Sequence, residues 1–182
     1  MTRHAPALIT IQGSSASLID SAQDMLLAGN DCVTDEEATT QFVIWSMVAA
    51  PLIMGNDLRK VSEPMRKLLL NPEIIAIDQD PLGKPGGRRT KLPGSIEVWT
   101  RELRHGDLAV AVYFDAPGKF ALEAVRVGWT APLVVVRDVV NRTSLGIYKR
   151  NAVIGVESST AHSVRCFRFS RLFEGSTSGA IV

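Results

Sequence analysis

Two rhythms of apolar and polar positions divide the chain. Up to about residue 83, short apolar runs alternate with stretches of helical spacing. Met25-Leu26-Leu27-Ala28 is such a run, closed by Gly29-Asn30, and suits a short buried parallel strand. Thr34-Asp35-Glu36-Glu37 then predicts a capping box, with acids at the positive end of a helix dipole. The helix it opens carries Ala38, Phe42, Trp45 and Ala49 on one face. Val43, Ile44, Met47 and Val48 spread around the rest, so cover on most sides is expected. Pro51 is expected to end it. Leu52-Ile53-Met54 reads as a second short strand, closed by Gly55-Asn56-Asp57. A second helix is expected from Ser62-Glu63-Pro64, with Met65, Leu68 and Leu69 inward and Asn71-Pro72 as its stop. Ile74-Ile75-Ala76-Ile77 reads as a third short strand. The pattern is a βα repeat, as in a parallel sheet or barrel.

The rhythm changes at Lys84-Pro85-Gly86-Gly87-Arg88-Arg89, which reads as a linker. Beyond it the spacing is two. Strands are expected around Ile96–Thr100, Leu108–Phe114, Phe120–Val125, Leu133–Val136, Ile147–Tyr148, Val153–Val156 and Val164–Phe169. Arg104 to Asp107 and Asp115 to Gly118 are turns. Many short strands at regular spacing predict a β-sandwich. The polar tail, residues 174–182, is expected to be disordered.

Composition adds exclusions. The 182 residues are 46% hydrophobic and 21% charged, which is globular, and the net charge of +1 argues against nucleic acid as a partner. The basic run Arg88-Arg89-Thr90-Lys91 has no aromatic residues among it and reads as a solvated linker. His4, His105 and His162 are isolated, so no zinc or other metal is expected. Cys32 and Cys166 cannot make a disulfide framework, and their pairing stays open. The apolar run Ala7–Ile11 is shorter than the roughly 7–15 residues of a signal h-region, so no export signal is expected, and no membrane span either. Asn141-Arg142-Thr143 is a glycosylation sequon, which makes Asn141 a candidate acceptor.

Three acids invite chemistry: Asp20, Asp24 and Asp31. Asp24 stands directly before the first apolar run. An acid at the edge of a buried strand raises the question of a catalytic carboxylate pair, and a strand-end acid or helix-cap partner is the alternative. Asn56-Asp57-Leu58-Arg59 reads as a turn with an Asp57–Arg59 pairing, and Asp78 and Asp80 as Asx-turn acids before Pro81. Trp45 and Trp99 are expected in the core.

The stretches "DMLLAGND", "QFVIWSMVAAPLIMGNDLR" and "IIAIDQDPLGKPG", in this order and spacing, resemble glycoside hydrolase family 27. Its members are α-galactosidases and α-N-acetylgalactosaminidases. The likeness continues more loosely through "IEVWTREL", "LAVAVYF" and "VVVRDVVNRTSLGIY". The resemblance implies a (β/α)8 TIM barrel followed by an antiparallel β-sandwich. On that reading residues 1–23 are an unmatched segment and 24–83 are the last βα units of the barrel. Residues 84–90 are a linker, 91–173 the sandwich and 174–182 a tail.

The family uses a retaining mechanism with two carboxyl groups about 5–5.5 Å apart. Its nucleophile follows a Lys-Tyr pair, and its acid/base precedes the "DM" strand. Neither motif is found in residues 1–23, where Ile19-Asp20-Ser21-Ala22-Gln23 stands in place of a Trp-x-Asp-x segment. The resemblance therefore leaves Asp24 and Met25 as substrate-pocket residues, no catalytic residue in this chain, and no cofactor. The chain alone is expected to be inactive. The intact enzyme would cleave terminal α-linked galactose or N-acetylgalactosamine. Family members are often homodimers and are lysosomal or secreted. Two other readings stand beside this one: a non-catalytic β-sandwich interaction or carbohydrate-binding module, and an enzyme with a site rebuilt around Asp24 and another acid.

Overall fold

The computed structural model describes residues 25–92 and 96–172. Asp24, the segment 1–23 and the tail 174–182 lie outside the described residues, as do the expectations placed on them.

The first helix, α1 (Asp35–Met47), begins as the sequence predicts. The Glu37 amide donates to Thr34 Oγ1 at 3.2 Å, and the Thr34 amide donates to Glu37 Oε2 at 2.9 Å. Two amides that would otherwise lack partners are satisfied at once. Thr34→Ala should cost about 1 kcal/mol, read as a lower urea midpoint at unchanged slope. The helix stops before Pro51 is reached. Ala49 turns left-handed at φ 57°, and the Ala50 amide donates back to the Trp45 carbonyl at 3.0 Å. That is a Schellman-type end, which uses up the last carbonyls early. Ala38, Phe42, Val43, Ile44 and Met47 are all buried, as expected of a helix covered on most sides.

The second helix, α2 (Glu63–Leu69), is capped by Ser62, with Pro64 in its first turn. The run Ile74–Ile77 is not a strand. It lies in a third helix, α3 (Pro72–Asp78). Asn71-Pro72 is not only a stop. The Asn71 side chain accepts from the Glu73 and Ile74 amides at 3.0 and 3.3 Å, and Pro72 is pre-set for a first helical turn. Ile74 and Ile77 then sit three apart on one buried face, while Ala76 is exposed. The two expected flanking strands shrink to one parallel bridge, Leu26 with Met54.

The second half is antiparallel. Six strands form one sheet in the order β1 (Gly87–Leu92), β2 (Ile96–Glu102), β3 (Leu108–Phe114), β8 (Ser163–Ser170), β5 (Leu133–Asp138), β6 (Thr143–Lys149). β4 (Gly118–Glu123) and β7 (Val153–Ser158) pair separately and form the facing layer. Residues 87–90, expected in a linker, belong instead to edge strand β1. Its basic residues are held by β2: Arg88 and Lys91 reach Glu97 at 3.0 and 3.4 Å. A charged edge of this kind also discourages pairing with other chains.

The large sheet is covered on both faces. Val110, Val112, Phe114 and Phe169 point into a core closed by Leu122, Ile154 and Val156 of the small sheet. The alternate residues Trp99, Ala109, Ala111, Val164 and Cys166 share a second core with Phe42, Met47, Ile74 and Ile77 of the helices. This is why β3 reads LAVAVYF and is buried at every position. The molecule is thus helices, large sheet and small sheet in three layers. Asn71 reinforces the first contact, donating through Nδ2 to the Val139 carbonyl at 2.9 Å. Glu73 and Arg137 add a two-fold contact at 2.6 and 2.7 Å. Cys32 is exposed and Cys166 buried, and both are free thiols. Among the described residues, no helix is long and apolar enough to cross a membrane.

Candidate functional site

Met25 opens the parallel bridge. It is 47% exposed, whereas its neighbour Leu26 is 1% exposed. Alternation along an extended segment turns one side chain out and the next in. Gln41 of α1 grips the backbone on both sides of Leu26. Its Oε1 accepts from the Leu27 amide at 2.8 Å, and its Nε2 donates to the Met25 carbonyl at 3.4 Å. Gly55 lies against Met25, where a side chain would begin 2.7 Å from Met25 Cβ.

The two segments also clasp each other. Asn56 donates to the Ala28 carbonyl, and Asn30 donates to the Gly55 carbonyl at 3.4 Å. The sequence reading took both Gly-Asn pairs as strand closures and missed this exchange. Their repetition, Gly29-Asn30 and Gly55-Asn56, was the available signal.

Several described acids have local work. Asp57 takes the Arg59 guanidinium at 2.9 Å through both oxygens, the expected pairing, which holds its carboxyl below the usual range. Asp80 makes the expected Asx turn, accepting from the Leu82 amide at 3.0 Å, and also accepts from the Arg104 amide at 2.9 Å. Asp107 is buried and binds Arg168 at 2.7 Å and Ser170 at 2.9 Å. Tyr113 donates to Asp115 at 3.1 Å and lies 3.2 Å from His162 Nδ1; burial, then the Asp115 carboxylate, push its hydroxyl up. Among the described residues, no hydrogen bond joins two carboxyl groups, and no cluster of His, Cys, Asp and Glu suits a metal ion.

Asp78 departs from the Asx-turn expectation. Its carboxyl Oδ1 is buried without a hydrogen bond, and burial raises the group to about 6 against the pull of Arg101. Arg101, on β2, is 1% exposed. Its guanidinium donates to the Ser46 carbonyl and, at 3.1 Å, to the Asp78 carbonyl.

A groove of about 520 Å³ opens at one end of the large sheet, lined by Lys84, Arg89, Glu102, Arg104, Asp107 and Trp129 among others. Trp129 is no platform for a sugar: it is buried, donates to the Leu133 carbonyl at 2.9 Å and meets Phe169 edge-on at 6.2 Å. Trp99 is buried and Trp45 half-buried in the helical core, as the sequence suggests. Asn141 is exposed, with its Nδ2 on Asp138 at 2.7 Å.

Comparison with known proteins gives this arrangement its relatives. The family model described as α-galactosidase A matches residues 7–80, a match that begins upstream of Asp24. Human α-galactosidase A is 43% identical over 89 residues, 49% of this chain and 20% of the relative. Human α-N-acetylgalactosaminidase is 31% identical over 144 residues, 78% of this chain and 33% of the relative. The crystal structure of α-galactosidase I from Mortierella vinacea superposes with a TM-score of 0.73 at 25% identity, over 80% of this chain and 38% of that one. The chain therefore spans a fifth to a third of the length of these two curated relatives. Motifs, fold and relatives agree: the chain belongs to glycoside hydrolase family 27.

Proposed function

We propose that residues 24–83 form the end of a (β/α)8 barrel and that the sandwich following it begins with β1 at Gly87. Together they would be part of a retaining enzyme that removes terminal α-linked galactose or N-acetylgalactosamine. One observation carries the barrel reading. Leu26 and Met54 pair in parallel with α1 between them, a β-α-β connection. Parallel neighbours need such a crossover, and a barrel is built from its repetition.

Met25 would stand at the sugar-facing rim of that barrel, beside Asp24, and Gln41 would fix the backbone that presents them. The outward turn of Met25 supports this placement. Asp24 would accept hydrogen bonds from sugar hydroxyls. Neither residue performs the double displacement, which needs a nucleophile and an acid/base about 5–5.5 Å apart. Asp57, Glu73, Asp80 and Asp107 are engaged in turns, ion pairs and interlayer contacts instead.

The test is direct. The 182-residue chain, incubated with aryl α-galactoside and aryl α-N-acetylgalactosaminide, should release no aryl alcohol above the buffer rate. Turnover that disappears in Asp24→Asn would refute the proposal and assign catalysis to a site rebuilt around Asp24. A non-catalytic sandwich module is the second reading, and it draws support from the large sheet being covered on both faces. Glycan binding without hydrolysis, retained in Asp24→Asn, is its signature.

A further inference from the structure

Two helices and the sheet meet at one point. Arg101 enters from β2, wholly buried, and donates to carbonyls at the ends of both α1 and α3. The Gly86 amide donates to the Met47 carbonyl at 2.8 Å, which fixes the approach to β1 at the same place. The Asp78 carboxyl belongs to this junction. One of its oxygens is buried with no partner, and so is Arg101 Nε. The charged groups around it are few. β2 contributes Arg101, and the segment after α3 contributes Asp80, whose charge also acts on Arg101. α1 presents Ser46 and Met47, which do not titrate.

We propose that Asp78 is an acid-responsive lock between the helical layer and the sheet: its carboxyl takes up a proton as the solution acidifies, and the helices then hold the sheet more tightly. A half-buried carboxylate with an unpartnered oxygen is a cost to the folded state, and protonation removes the charge from that site. Burial outweighs the attraction of Arg101, so the folded group titrates near 6 against 3.8 as its ordinary value. The sign follows. Between those two values the folded chain binds more protons than the unfolded chain, so this group's contribution to stability falls as pH rises. The penalty is complete above the folded value and absent below the unfolded one. Glu73 works in the opposite sense: its hydrogen bonds to Arg137 hold it low, and that stability is lost in acid. The lock must therefore be read as a difference between two chains.

Thermal melts of the full chain and of Asp78→Asn between pH 7.5 and 4 provide it. The amide keeps the shape and mimics the protonated acid. The variant should melt about 5 °C higher at pH 7.5, with the difference closing to nothing near pH 4. A variant that melts at or below the parent at pH 7.5, or a difference that ignores pH, overturns the lock. Carbon-13 detection of aspartate carboxyl groups in the parent chain gives an independent reading. One resonance should titrate near 6 and vanish in Asp78→Asn. Titration of every aspartate below about 5 overturns the lock even if the variant does not fold.

Discussion

Arg101→Ala should destabilise the chain by about 3–5 kcal/mol, the largest effect expected of any substitution here. The side chain is 1% exposed and spans the gap between sheet and helices. Its loss leaves a void and strands the Ser46 and Asp78 carbonyls away from water. The Asp78 carboxyl also loses the one positive charge that offsets its burial. Denaturant melts followed by tryptophan fluorescence measure this, because Trp99 lies in the same core. Arg101→Lys keeps the charge but not the planar fork, so it should recover only part of the loss. Full stability in Arg101→Ala would mean that the helices need no anchor at this point.

Gly86→Ala is the second large effect, about 2–4 kcal/mol. No unusual backbone angle is at issue. The cause is space: an added Cβ would meet the Met47 and Thr100 carbonyl oxygens at 2.6 Å each and Arg101 Cβ at 2.7 Å. Two of these neighbours are backbone and cannot swing aside. To make room, α1 or β2 must move, which strains the Gly86–Met47 hydrogen bond. Gly155→Ala on β7 is the control, with nothing within 4 Å of its new methyl group, and should stay within about 0.5 kcal/mol of the parent. Because Gly86 and Arg101 touch, the double variant should cost less than the two single losses summed.

Much of this was legible in the chain. The period-two stretches gave their strands because β2, β3 and β8 alternate between two cores while β7 alternates between a core and solvent, and Thr34 with Glu37 gave the start of α1. β3 was legible as a strand from its apolar run, but not the layer on each side of it. Ile74–Ile77 misled because four apolar residues suit a buried strand and a short helix alike. The deciding residue was Asn71, whose cap is local but whose Nδ2 is committed to Val139, far along the sequence. Residues 87–90 misled because glycine and charge mark an edge strand as well as a linker. At the candidate site, Met25 is proposed through motif resemblance, whereas the Asn30–Asn56 clasp and the Asp78–Arg101 junction depend on pairings across the fold. Spacing along one strand or helix carries no trace of such pairings.

Everything proposed for the helical half depends on its sharing one core with the sandwich. Native-state hydrogen exchange with rising denaturant tests that sharing most directly, through the amides of Val43–Met47 on α1 and Val164–Phe167 on β8. A shared core requires both sets to open with the same free energy, in one cooperative step. Opening of the α1 amides about 2 kcal/mol or more below a still-protected β8 would contradict it, and would make the helices a separate layer resting on an independent sandwich.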